Sequence, residues 1–191
     1  MFALVEGKPA PSRHAKDLLE SLCSYFTEQR VCEELVPFMT EKSVSGRMCD
    51  YLVTTYSKKR YCPVGTSTLD IRHLYEMSLR EAGGRCLFDP FNRISSGLVV
   101  QFQCPVSNIL RKTTVAQMNF VRWYFSNGVN GFVARNQKAI SQDMRVTYQR
   151  IKSEKIALAG KKRKRQSLAG FPVGRGTIML AKRTIILMSS D

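Results

Sequence analysis

The chain has 191 residues, 43% of them hydrophobic with ten Phe and seven Tyr, and a formal net charge of +15 at pH 7. That apolar content excludes a wholly disordered basic protein and supports one core-bearing domain plus an arm. The charge is uneven: residues 1–110 hold 13 Lys/Arg against 12 Asp/Glu, whereas residues 111–191 hold 17 against 3. No apolar run approaches the ~20 residues of a spanning helix, so no membrane insertion is expected. The start, MFALVEGKPAPSR, lacks the charged-then-apolar order of a secretory leader.

Residues 1–13, with Pro9 and Pro11, read as an irregular arm. From Ala15, Leu18, Leu19, Cys23 and Phe26 recur at helical spacing, with Asp17 and Glu20 early, where the helix dipole favours acids. A second short helical run carries Val31, Cys32, Leu35 and Phe38 and is expected to break at Pro37. Ser43 or Ser45 can cap a third helix, striped by Met48, Leu52 and Tyr56. Lys58, Lys59 and Arg60 at its exit either complement the dipole or add to a phosphate-binding face.

Tyr61–Val64 is compatible with a short strand, and a fourth helix is expected from Thr68 or Leu69 to Ala82, ended by Gly83-Gly84. Asp89-Pro90 predicts a turn flanked by Phe88 and Phe91. Alternation of Leu98, Val100 and Phe102 with Val99, Gln101 and Gln103 marks the clearest strand. Thr113 or Thr114 can cap a helix through Phe125 that is apolar on nearly every side and therefore central. Asn127-Gly128 stops it, Asn130-Gly131 predicts a second turn, and a further helix covers Phe132 to Met144 and is compatible with continuing through Ile151, Ile156 and Leu158 until Gly160 breaks it. The expected fold class is α+β. A mainly helical body with a short sheet (residues 14–144) is followed by a basic arm ending in a strand (145–191).

Function is carried by charge rather than by a reaction motif. Arg145 to Arg165 holds nine Lys/Arg and one acid, Glu154. Such an asymmetry points to a polyanionic partner, since each cation that neutralises a phosphate releases counterions. The candidate nucleic-acid-binding residues are Arg145, Arg150, Lys152, Lys155, Lys161, Lys162, Arg163, Lys164 and Arg165. Tyr148 joins them as a base-stacking side chain. Two helices joined by a glycine turn are also compatible with a helix-turn-helix or with an ordinary helical hairpin. In the former, Arg135 and Lys138, with Asn136 and Gln137, would face base edges. Lys161 to Arg165 also matches a short nuclear-import signal.

Six cysteines, Cys23, Cys32, Cys49, Cys62, Cys86 and Cys104, form no close pair, and only His14 and His73 could complete a zinc site, so reduced thiols and no metal are expected. No nucleophile with an adjacent base and no phosphate loop is present, so no enzyme activity and no cofactor are expected. An alternative role is that of a minor structural protein whose arm and terminal strand tie neighbouring subunits together.

The chain also resembles a family of small proteins carried by nucleocytoplasmic large DNA viruses, iridoviruses among them. The resemblance rests on Ser43 and Ser45 leading into Tyr51 to Lys59 (YLVTTYSKK), on Phe88 to Phe91 (FDPF), on Thr113 to Phe120 (TTVAQMNF) with Trp123, and on Asp143-Met144 before the basic stretch. The chain departs from the family pattern at Thr55, Asn92 and Ala116, where asparagine, cysteine and glycine are usual. The resemblance implies an infected-cell setting, at the nucleus, the viral factory or the virion. Within it the partner would be nucleic acid, DNA favoured over RNA, or capsid or core proteins. It implies no catalytic residues.

Overall fold

A computed structural model describes residues 2–5, 11–40, 44–65, 69–92, 94, 97–105 and 107–160, with side chains to residue 157. The architecture is α+β and mainly helical, with one small antiparallel sheet. Polar caps set where the helices begin. Ser12 Oγ accepts from the Ala15 N–H at the start of α1 (Arg13–Tyr25), and Ser45 Oγ from the Met48 N–H at α4 (Gly46–Tyr51). Asp70 does the same for His73 at α6 (Ile71–Glu81), and Thr114 for Gln117 at α7 (Val115–Ser126). Each side chain satisfies a donor that the first helical turn leaves unpaired.

The helix expected to break at Pro37 does not. α2 (Glu28–Arg30) passes through a wide π turn (Val31–Leu35) into α3 (Val36–Thr40). In that turn the Val36 N–H donates to Val31 O, five residues back. The expected break assumed α geometry, in which the proline ring meets the carbonyl four residues earlier; the local π spacing changes that register. A second π turn (Leu52–Tyr56) joins α4 to α5 (Ser57–Lys59).

Residues 2–4 are also not irregular. Phe2–Leu4 forms β1, antiparallel to β2 (Val99–Gln103), with Phe2 opposite Phe102. The Phe2 ring packs against Phe102 and Phe26 at 5.3 and 6.3 Å between centroids, so apolar contact holds a strand too short to show periodicity. β3 (Leu110–Thr114) completes the sheet in the order β1-β2-β3, with Val99 opposite Thr114. Tyr61–Val64 contributes only a single bridge, Pro63 to Asp70.

α7 is the central element, with eight of its residues buried from Val115 to Tyr124. Phe120 lies 5.5 Å from Phe88 and 5.2 Å from Trp123, ring to ring, and Tyr75 and Phe38 extend the cluster. Gly128, at φ +69, stops α7 in the left-handed region that glycine enters without strain. α8 (Val129–Gly160) starts at once, so Asn130-Gly131 lies inside a helix rather than in a turn, and the helix does continue past Met144. The compositional shift at Arg145 falls within α8. The first compact unit runs to Ile151, and the second begins at Lys152. The terminal strand expected near residues 177–191 lies outside the described residues.

The Asp89-Pro90 turn is fixed from two sides. Asn119, buried in α7, donates to Leu87 O at 3.0 Å. A Cβ added at Gly46 would come 2.8 Å from Pro90 O, closer than packed atoms tolerate. Gly46→Ala is thus expected to destabilise by about 1–3 kcal/mol, as overpacking does. A helix propensity gain alone would stabilise by ~0.5–1 kcal/mol. Urea unfolding reads the sign directly, and a stabilised variant would contradict the close approach.

Candidate nucleic-acid interface

α8 follows α7 after two residues, and its inward stripe includes Val133, Ile140 and Thr147, all buried and seven residues apart. Lys138 and Arg145 are also seven apart but offset by five positions, about 140° around a helix of 3.6 residues per turn. Both are exposed. The geometry of an α-helix separates them by roughly 10.5 Å along the axis.

Thr147 belongs to a polar network that ties α8 to the helical run ending in α5. Tyr51 donates to Asp143 Oδ2 at 2.5 Å and lies 2.8 Å from Thr147 Oγ1. Lys59 Nζ is 3.4 Å from Asp143 Oδ2 and 3.2 Å from Thr147 Oγ1. Arg60 Nη2 approaches Asp143 Oδ1 at 4.0 Å, with its guanidinium over the Tyr56 ring. The hydrogen inventory fixes the directions. Tyr51 has one proton and gives it to the carboxylate, so the Thr147 hydroxyl donates to Tyr51 and accepts from the Lys59 ammonium.

The hydrogen bond from Tyr51, together with the Lys59 and Arg60 charges, holds the Asp143 carboxyl below the ordinary aspartate range and outweighs its desolvation. Burial, with the Asp143 carboxylate beside it, pushes the Tyr51 phenol above its usual value. Lys59 and Arg60, read from sequence as dipole partners or phosphate contacts, are thereby engaged with an acid. Asp143 itself is the feature that sequence reasoning passed over as a binding or anchoring residue. Its signal was present, because no other acid lies between Asp89 and Glu154.

The predicted contact residues fall into three groups. Arg135, Lys138 and Arg145 are exposed on α8, and among the described residues none of them forms an ion pair. Arg150 is exposed near the end of the first unit, and Lys152 and Lys155 are exposed in the part of α8 that belongs to the second. Tyr148 is 46% exposed, but its ring sits 6.0 Å from that of Tyr51, so one side is already covered. Lys161, Lys162, Arg163, Lys164 and Arg165 lie outside the described residues. The helix-turn-helix reading loses two of its four polar side chains. Asn136 is turned back to donate to Phe132 O at 2.9 Å, and Gln137 is half-buried. α7 in front of them is a core helix.

None of the six cysteines is in a disulfide, and burial pushes the Cys49 thiol up to about 12 and that of Cys62 up to about 11, far from the reactive range. Among the described residues no group of three or more His, Cys, Asp or Glu could hold a metal ion. No helix among them is long and apolar enough to cross a membrane.

Fold and surface together define a small α+β domain with a long helix that is anchored through one carboxylate and carries exposed cations, of which Arg135, Lys138 and Arg145 form no ion pair among the described residues. Residues 12–170 match DUF7197, a family of unknown function, and the chain belongs to that family. No curated protein and no solved structure matches the chain.

Tyr51→Phe should cost about 1.5–3 kcal/mol at neutral pH, the range for a hydrogen bond to a charged group. An acid whose folded pKa is depressed contributes stability that is present above its unfolded value, near 3.9, and lost as pH falls through the folded one. The penalty of Tyr51→Phe in urea unfolding should therefore shrink as pH drops below about 4. A penalty unchanged between pH 7 and pH 2 would contradict a charge-dependent bond.

Proposed function

We propose that this chain is a non-enzymatic nucleic-acid-binding protein of a large DNA virus, contacting phosphates through its basic C-terminal region. The observation that carries the reading is the charge partition. A net of +14 falls on residues 111–191, and Arg135, Lys138 and Arg145 stand exposed on α8 without carboxylate partners among the described residues. An exposed cation with no acid beside it keeps its full attraction for a phosphate. One already held by a carboxylate, as Lys59 is by Asp143, must exchange partners to bind. Arg150, Lys152, Lys155 and Lys161 to Arg165 extend the cationic set along the sequence.

Contacts of this kind position a protein on the backbone and carry no base information, so binding is sequence-independent. The viral setting, and with it DNA rather than RNA as partner and the infected cell as location, rests on the family resemblance of the Tyr51 to Lys59, Phe88 to Phe91 and Thr113 to Phe120 segments.

The direct test compares duplex binding by the full chain, by Lys138→Gln with Arg145→Gln, and by a chain ending at Gly160. Fluorescence anisotropy at one low salt concentration suffices. Each lost phosphate contact weakens non-specific binding, so the double substitution should raise Kd by about tenfold, and removal of residues 161–191 should raise it further. Equal affinity in all three would contradict the assignment. Absence of binding by the full chain would turn attention to the structural role, in which the same cations meet acidic faces of neighbouring virion subunits.

A further inference from the structure

A second feature of the body lies away from the α8 cations. A cleft of about 260 Å³ opens between the first turn of α1, the end of α6 and one face of α7. His14, Ser78, Arg122, Trp123 and Asn127 line it. Asn119, Arg122, Trp123, Ser126 and Asn127 reach it together because residues three and four apart share a helix face.

Arg122 is the unusual member. It is half-buried, its Nη1 donates to Ser21 Oγ and its Nη2 to Asn119 Oδ1, both at 2.8 Å. Both partners are neutral, and among the described residues Arg122 forms no ion pair. Burial pulls its guanidinium below the usual arginine pKa, the direction expected of a cation that has lost water. A guanidinium normally meets a carboxylate or phosphate through its planar fork, and here the two neutral bonds leave the Nε–H and further N–H groups available. Beside it, Trp123 is 5% exposed and its indole N–H has no hydrogen-bond partner, although buried polar groups ordinarily do.

We propose that this cleft binds a small ligand bearing one oxyanion, a phosphate monoester or a carboxylate, with Arg122 supplying the counter-charge. Trp123 forms an aromatic wall, and the exposed His14 stands at the rim. The volume lies just below the ~300–1,000 Å³ of typical small-molecule sites, which limits the ligand to a compact one. Glu81, exposed and also lining the cleft, repels a second anionic group and can accept from a hydroxyl or amine on the remainder of the ligand. Nothing in this site depends on α8, so it stands or falls separately from nucleic-acid binding.

Trp123 is the only tryptophan of the chain and lines the cleft, so tryptophan fluorescence responds to changes there. The full chain is titrated with inorganic phosphate and, separately, with acetate, at constant ionic strength balanced by chloride. A saturable change with a Kd of about 10 mM or tighter is expected in at least one titration. Saturation by phosphate alone assigns a phosphate ester, by acetate alone a carboxylate, and by both a site selective only for the oxyanion. Arg122→Gln should weaken the response by about tenfold or more, as loss of a charge-assisted pair does. His14→Gln, at an exposed position, should weaken it by roughly two- to fivefold at unchanged Tm. If Arg122→Gln fails to fold, Arg122→Lys takes its place, keeping the charge without the fork and giving a weaker response. Absence of saturation in both titrations overturns the proposal. So does a response that persists undiminished in folded Arg122→Gln, or in both Arg122→Lys and His14→Gln, because phosphate acting on other cations would behave that way.

Discussion

Burial of α7 on nearly every side is the constraint to which the rest of the body answers. A helix buried on most sides needs partners for most of the polar groups it carries. Asn119 meets that demand by donating to Leu87 O, which fixes the segment leading into the Asp89-Pro90 turn. The same burial brings Phe88, Phe120 and Trp123 into edge and tilted contact, geometries that add to simple area burial. It also sets the origin of α8, because Gly128 ends one helix and the next begins at Val129.

Where α8 meets the body, a carboxylate decides which cations remain available. Asp143 draws in Tyr51, Lys59 and Arg60, with Tyr51 and Lys59 donating to its Oδ2 and Arg60 facing its Oδ1 as an ion pair. Its side chain is 21% exposed, so the attraction is less screened than at a surface pair. Cations inside the network serve to anchor the helix. Lys138 and Arg145, on the other side of the same helix, form no ion pair among the described residues, which is the basis of the proposal that they meet a polyanion.

Much of this organisation was legible in the sequence because it rests on local rules. Ser45 and Thr114 stand where a polar side chain can cap, and the Leu98 to Gln103 alternation is a strand pattern. The Val115 to Phe125 segment could be recognised as central because apolar residues fall on more than one face. What escaped depends on contacts distant in sequence. β1 has three residues, and its strand conformation comes from pairing with β2 and from Phe2 resting on Phe26 and Phe102. β3 reads as LRKTT, whose polar residues hide the pairing and whose last threonine also caps α7. Pro37 and Gly131 have local propensities that disfavour a helix, and a π turn and a packed helix override them. The Asp143 network joins residues 92 and 96 positions apart, and a lone acid in a basic region was its only trace.

The measurement that bears most directly on this account is the salt dependence of duplex binding by the full chain. If about six to eight cations engage phosphates, log K should fall linearly with log salt at a slope of about −5 to −7. A slope near zero, with affinity unchanged between low and physiological salt, would show that the excess charge does not meet a nucleic-acid backbone, and would contradict the central claim.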